Sequence, residues 1–484
     1  MRRFLSKDCG RWVPLYLFLV LCILPGVAGA SFTIEDEKKL GREFNEKLKT
    51  GQFLVQNEQA NSYLTRLGER VLAVGEKAPF DFQFFIIRSS AINAFATPGG
   101  YVYVNQGLIN LVENEAELAG VLAHEIAHVN GRHIAELVDR STKLSISTLA
   151  AVLAGAFLGG GGDLTSAVAT FSTAAATALS LQYSREHEEA ADRTGLAYLV
   201  AAGYDGKSML DFLKIMRRFE FYSNTIPSYF LTHPGTDERS HYIDALLQTK
   251  YQRGGGADDI LGELKRIQVL LLLDSKAPDA GLAYFQKELK EHPEDPNLLY
   301  GLAVTEDRLG MTREALEHFR KALSLAPDDP DILRDLGIVL FKLGQFDDAA
   351  RNLRRAVALR ENDLDSNLYL GKTLAAIGDV SGALLLYKKM EAKRPDDPEI
   401  LYDLAMLYGK TERAGDSHFY FGRYFKMKGK TDSALFHLNA ALKDIPPGDP
   451  KWSAIKKEID SLSPKGRPEG VSPKPPEKER NQRG

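Results

Sequence analysis

From Pro293 to Pro395 the chain repeats with a period of 34 residues, and few folds accommodate such regularity. Pro293, Pro327 and Pro395 lie on one grid line, and Glu361 occupies the slot where a proline is missing. Gly310, Gly344 and Gly378 share a second line, Ala315, Ala349 and Ala383 a third, and Leu302, Leu336 and Leu370 a fourth. Small residues recurring this way let two antiparallel helices approach closely, and the proline ends each pair. Such pairs stack into an α-solenoid with a concave face. A degenerate unit is expected near Leu261–Pro293. After a single extra helix at about Glu399–Leu407, another unit is expected at about Gly415–Gly448, with Gly422, Gly429, Ala434 and Ala441 as its small residues. From Ser463 onward Pro, Lys, Glu and Arg dominate, the composition of a disordered tail.

Ahead of the repeats stands His124-Glu125-Ile126-Ala127-His128. Positions i and i+4 of a helix share a face, so both imidazoles can aim at one point. Zinc accepts that nitrogen pair, and Glu125 can polarise a water on the same ion as a general base. Leu118, Val121, Leu122, Ile126 and Val129 recur at a spacing suited to burial, which predicts one long helix over Glu115–Val138 with the chemistry in a core. Helices are also expected over Glu35–Lys49 and Ala60–Val74. Strands are expected in Phe80–Ile87 and Tyr101–Asn105, around the turn Pro98-Gly99-Gly100.

At the N-terminus Arg2, Arg3, Lys7 and Arg11 precede an apolar run from Val13 to Leu24, then Pro25-Gly26 and Ala28-Gly29-Ala30. That is the three-part pattern of a cleaved secretory signal; the run falls short of the ~20 residues a membrane anchor needs. Cys9 and Cys22 both lie inside it, so the mature chain is expected to hold no disulfide, thiolate metal site or cysteine nucleophile, as suits a bacterial periplasm. The Ala- and Gly-rich stretch Leu144–Leu181 reads as two packed helices joined by a loop around Gly159–Gly162, with a membrane-inserted hairpin, and so peripheral membrane contact, as the alternative. A formal net charge of -4 without a basic block interleaved with aromatics argues against nucleic acid as a partner. The expected domains are a signal at 1–30, a mixed domain at 31–250, a linker at 251–260 carrying Arg253-Gly254-Gly255-Gly256, repeats at 261–462 and a tail at 463–484.

A zinc hydrolase needs a third protein ligand and an open position for water. His133 is one candidate, but it arrives one residue early for the spacing His-Glu-x-x-His-x-x-Gly-x-x-His. Glu188 is the other: in Ser184-Arg185-Glu186-His187-Glu188-Glu189-Ala190-Ala191-Asp192, Glu188 and Asp192 share a helical face. Glu188 can then bind metal while Asp192 accepts the other N–H of a ligand histidine.

HExxH followed by Ser-Arg-x-x-Glu-x-x-Ala-Asp resembles the metallopeptidase family of the CAAX prenyl proteases and HtpX. Asn93-Ala94-Phe95-Ala96 before Pro98-Gly99-Gly100, and His233-Pro234 followed by Arg239, agree with it. The 34-residue period resembles the tetratricopeptide repeat, and the combination is similar to the BepA-type periplasmic branch, which couples proteolysis with chaperone-like handling of outer-membrane proteins. The resemblance implies a mainly α chain: an α+β zincin-like metallopeptidase domain followed by an α-solenoid of tetratricopeptide repeats. It implies one Zn2+ per chain on His124, His128 and Glu188, with Glu125 as base, and Asn93–Ala96 on an edge strand that pairs with substrate backbone. His233 is open between restraining activity on the metal, stabilising the transition state and a structural role; Arg239 is open between stabilising the oxyanion and anchoring the His233 loop. The implied activity is a zinc endopeptidase acting on unfolded or misassembled proteins, with repeats that bind clients or an outer-membrane assembly complex. The alternative is a chaperone or assembly scaffold with little turnover.

Overall fold

A computed structural model describes residues 32–140, 145–158, 183–251 and 256–462. The expected N-terminal signal, the expected tail, most of the Ala- and Gly-rich stretch (159–182) and residues 252–255 of the expected linker lie outside the described residues. The chain divides into two compact units between Lys276 and Ala277.

In the first unit α1 (Ile34–Thr50) opens on a capping box in which Thr33 and Asp36 satisfy each other's backbone, and α2 (Glu58–Leu72) is capped by Asn57. Three strands follow: β1 (Gln83–Ile87), β2 (Ala94–Thr97) and β3 (Tyr101–Asn105), in the order β1-β3-β2. β3 pairs parallel with β1 and antiparallel with β2, which is therefore an edge. The hairpin turns through Gly99 and Gly100, whose φ of 88° and 92° would strain any residue with a Cβ. Strand alternation divides β3 between two layers: Val102 and Val104 join the core of α2, while Tyr101 and Tyr103 join that of Leu40 and Phe44 on α1.

After α3 (Gln106–Leu111) comes α4 (Glu115–Asn130), the HExxH helix, buried at every position from Glu115 to Val129. The single helix expected over Glu115–Val138 is broken here. Gly131 ends α4, Arg132 takes a left-handed φ of 52°, and α5 (His133–Arg140) starts in a new direction. Arg132 is held in that turn by Glu37, 2.7 Å from its Nε, and by the Phe32 carbonyl. α6 (Ile146–Leu158) is the described part of the Ala- and Gly-rich stretch; among the described residues no helix is long and apolar enough to cross a membrane. α7 (Arg185–Ala201), capped by Ser184, packs on α4, followed by α8 (Lys207–Ser223), α9 (Ser228–Thr232) and α10 (Thr236–Thr249).

α11 (Leu264–Ser275) packs with this unit rather than with the repeats. Leu264, Ile267 and Leu271 enter its core, and the Gln268 amide donates to the carbonyls of Ile109 and Val112. The degenerate repeat expected from Leu261 therefore loses its first helix.

The second unit is a run of antiparallel helices: α12 (Pro278–Glu291), α13 (Pro296–Arg308), α14 (Thr312–Leu325), α15 (Pro330–Lys342), α16 (Phe346–Leu359), α17 (Leu364–Ala376), α18 (Val380–Lys393), α19 (Pro398–Lys410), α20 (Ala414–Met427), α21 (Thr431–Asp444) and α22 (Pro450–Leu462). Asp295, Asp329 and Asp363 cap the first helix of successive pairs, and Asp397 caps α19 in the same way. Gly310, Gly344 and Gly378 make the tight turn to the second, at positive φ. The periodic glycines inside the first helices touch large side chains of the second: Gly337 faces Leu353, and Gly371 faces Tyr387. The extra helix is α19. Glu412 (φ 57°) and Gly429 both make the short turn, so α19, α20 and α21 follow one another without an Asp-Pro start between them.

Candidate metal centre

His124 and His128 lie one turn apart on α4, and their Nε2 atoms are 2.9 Å apart. From α7, Glu188 brings Oε1 to 3.3 Å from His128 Nε2 and Oε2 to 3.5 Å from His124 Nε2. From the end of α9, His233 places Nδ1 3.3 Å from His124 Nε2 and 3.1 Å from Glu188 Oε1. One ligand atom from each of these four buried residues lies within 4.8 Å of all the others. Glu125 stands beside them, its Oε1 3.4 Å from His233 Nε2, yet neither carboxylate oxygen has a hydrogen-bond partner. Buried polar atoms normally have partners. Three imidazoles and a carboxylate converging around unsatisfied atoms fit a divalent cation of the zinc type.

Asp192, four residues after Glu188, lies behind the site, with Oδ1 2.8 Å from His124 Nδ1, although the two atoms are not aligned as a hydrogen bond. Arg239 donates through Nε and Nη2 to both Asp192 oxygens, at 2.8 Å each, and places Nη1 2.8 Å from Glu188 Oε2. Its buried guanidinium is thus committed to two carboxylates, the geometry of an anchor. The Tyr242 hydroxyl donates to Asp192 as well. Tyr229 stacks on His233 at 4.3 Å, and its backbone N–H binds the Ile92 carbonyl, tying the His233 segment to the chain just before β2.

These contacts set the charges. Burial alone would keep His124 neutral, but the Asp192 charge raises it to about 9. Burial and the charge on His124 push His128 well below the usual imidazole range. Burial works against the charge on Glu188, yet His233 and Arg239 hold its carboxyl well below the usual range. Glu125, with burial dominant, is raised.

Of the edge-strand residues, Ala94, Phe95 and Ala96 lie in β2 and Asn93 immediately precedes it; all four are buried. A narrow cleft is lined by Ala96, Thr97 and Pro98 together with His128, Tyr183, Ile134 and Arg132, so the end of the edge strand reaches His128 of the cluster. His133 is the other candidate ligand from the sequence. In the structure its Nδ1 lies 2.9 Å from His128 Nδ1, behind that ring and outside the cluster. Three residues carried no sequence signal: Tyr183, its ring tilted against that of His128 at 3.9 Å; Tyr242; and Glu115, at the start of α4. The Glu115 carboxylate accepts from the Tyr63 and Tyr204 hydroxyls and the backbone N–H groups of Ile260, Leu261 and Gly262.

An α+β domain that buries an HExxH helix against a second helix carrying a carboxylate has the architecture of a metallopeptidase. Residues 58–247 match Peptidase family M48, and residues 308–344 and 334–398 match tetratricopeptide repeats. The chain therefore carries an M48 peptidase domain followed by tetratricopeptide repeats. It is 31% identical over 225 residues to the beta-barrel assembly-enhancing protease of Yersinia pestis (45% of this chain, 46% of that one). It is 30% identical over 213 residues to the Escherichia coli protein of that name (44% of each). It is 31% identical over 185 residues to mitochondrial metalloendopeptidase OMA1 of Schizosaccharomyces pombe (38% of this chain, 52% of that one). These alignments span about half of each relative's length.

Proposed function

We propose that the protein is a zinc-dependent endopeptidase of the bacterial periplasm that acts on unfolded or misassembled outer-membrane proteins, its repeats binding clients or an assembly complex. The observation that carries the peptidase reading is the convergence of His124, His128 and Glu188 beside a buried, unpartnered Glu125. His124, His128 and Glu188 would hold the ion, which when bound supplies Lewis acidity toward a water and the scissile carbonyl. Glu125 takes the proton of the attacking water and delivers it to the leaving amine. Asp192 backs His124, and Arg239 holds both Asp192 and Glu188 in place. The substrate and compartment rest on the names of the relatives and on the leader-like pattern of residues 1–30.

One observation favours a restrained enzyme. His233 occupies the cluster as a fourth potential ligand, and a site with four protein ligands leaves no position for water. We assign His233 a restraining role, so that turnover requires its displacement, and the chaperone-like reading describes the same chain in that state.

The test is Glu125→Gln, assayed for zinc content and for cleavage of an unfolded protein. The expected variant keeps its zinc and loses about 10²- to 10⁴-fold in rate, the usual contribution of a general acid–base. Cleavage at the wild-type rate would refute the assignment.

A further inference from the structure

The two histidines of the HExxH helix are backed by unlike groups. His124 has the Asp192 carboxylate behind it. His128 has another imidazole: His133 Nδ1 lies 2.9 Å from His128 Nδ1, and both rings are buried. Two ring nitrogens at that distance, on the side of His128 turned away from the cluster, share one hydrogen, so one donates and the other accepts. With His128 Nε2 turned to the metal cluster as a lone pair, the hydrogen must sit on its Nδ1. His133 Nδ1 is then the acceptor.

The fold fixes His133 for that task. The left-handed Arg132 turns the chain so that α5 begins at His133. Gly131 leaves room for the ring, since a Cβ there would collide with His133 Nε2. The ring lies flat on His187, with centroids 4.5 Å apart and planes at 14°, and His187 Nε2 is 3.0 Å from Glu136 Oε2.

We propose that His133 is a positioning residue for the metal site: it accepts the Nδ1 hydrogen of His128 and thereby selects the tautomer whose Nε2 faces the ion. This rests on the peptidase reading above and adds a residue to it. Groups behind ligand histidines typically change metal affinity by about 10- to 100-fold when removed.

Asparagine shares the Cβ–Cγ stem of histidine and can place its amide oxygen where Nδ1 stands, whereas leucine fills the space without an acceptor. The experiment is competition for zinc between a chromophoric chelator and the full chain, for wild type, His133→Asn and His133→Leu, with thermal unfolding as the folding control. The expected result is about 10- to 100-fold weaker zinc binding for His133→Leu and near-wild-type binding for His133→Asn. Equal affinity in all three would overturn the proposal. So would equal weakening of both variants, which would make His133 a packing residue only. His133→Phe replaces the leucine variant if that one does not fold, and is read the same way. Wild type that binds no zinc would instead refute the metal reading itself.

Discussion

In the proposed restrained state, His233 and an attacking water compete for the same small volume beside Glu125. Because the His233 ring reaches His124, Glu188 and Glu125 at once, removing it opens the position that water needs. His233→Ala is therefore expected to cleave an unfolded substrate faster than wild type, by about tenfold if the competition amounts to ~1.4 kcal/mol. A slower variant would show that the ring assists the chemistry. At this scale the sequence was informative wherever chemistry is local. His124, Glu125 and His128 fall within five consecutive residues, and Glu188 and Asp192 share one helical face. His133 arrives one residue early for a third ligand, and Arg132 turns its ring to the back of His128 instead. Tyr183 and Tyr242 could not be picked out, because a tyrosine gains such a role only from what the fold sets beside it.

The contact between α4 and α7 decides whether the cluster exists. Gly195 makes it: a Cβ there would meet His124 N at 3.0 Å and the Ala123 carbonyl at 3.1 Å. No periodicity announces this glycine, since its partner is 71 residues away in sequence. Gly195→Val is expected to destabilise the first unit by about 1–3 kcal/mol, as overpacking does. By moving Glu188 away from the two histidines, it should also weaken zinc binding. Thermal unfolding and chelator competition measure the two effects, and an unchanged zinc affinity would mean that the helix contact does not set the site. The repeat helices were the most legible elements, because prolines, glycines, alanines and leucines recur on a fixed 34-residue grid. The domain boundary was less so. α11 lacks any signature separating it from a repeat helix, and its packing into the first unit's core and against Ile109 and Val112 assigns it.

The whole chain joins a compact catalytic unit to a stack of repeats, two bodies with separate cores. A chain ending at Lys276 is accordingly expected to cleave a generic unfolded substrate at close to the full-length rate while losing partner association, read by cleavage assays beside pull-down. Loss of both would make the repeats part of the catalytic structure. The central claim is that one zinc ion is held jointly by two helices. Its most direct test is metal analysis of purified wild type beside Glu188→Gln after dialysis against a mild chelator. The account requires one zinc per wild-type chain and little or none in the variant; zinc retained equally by both, or absent from wild type, would contradict it.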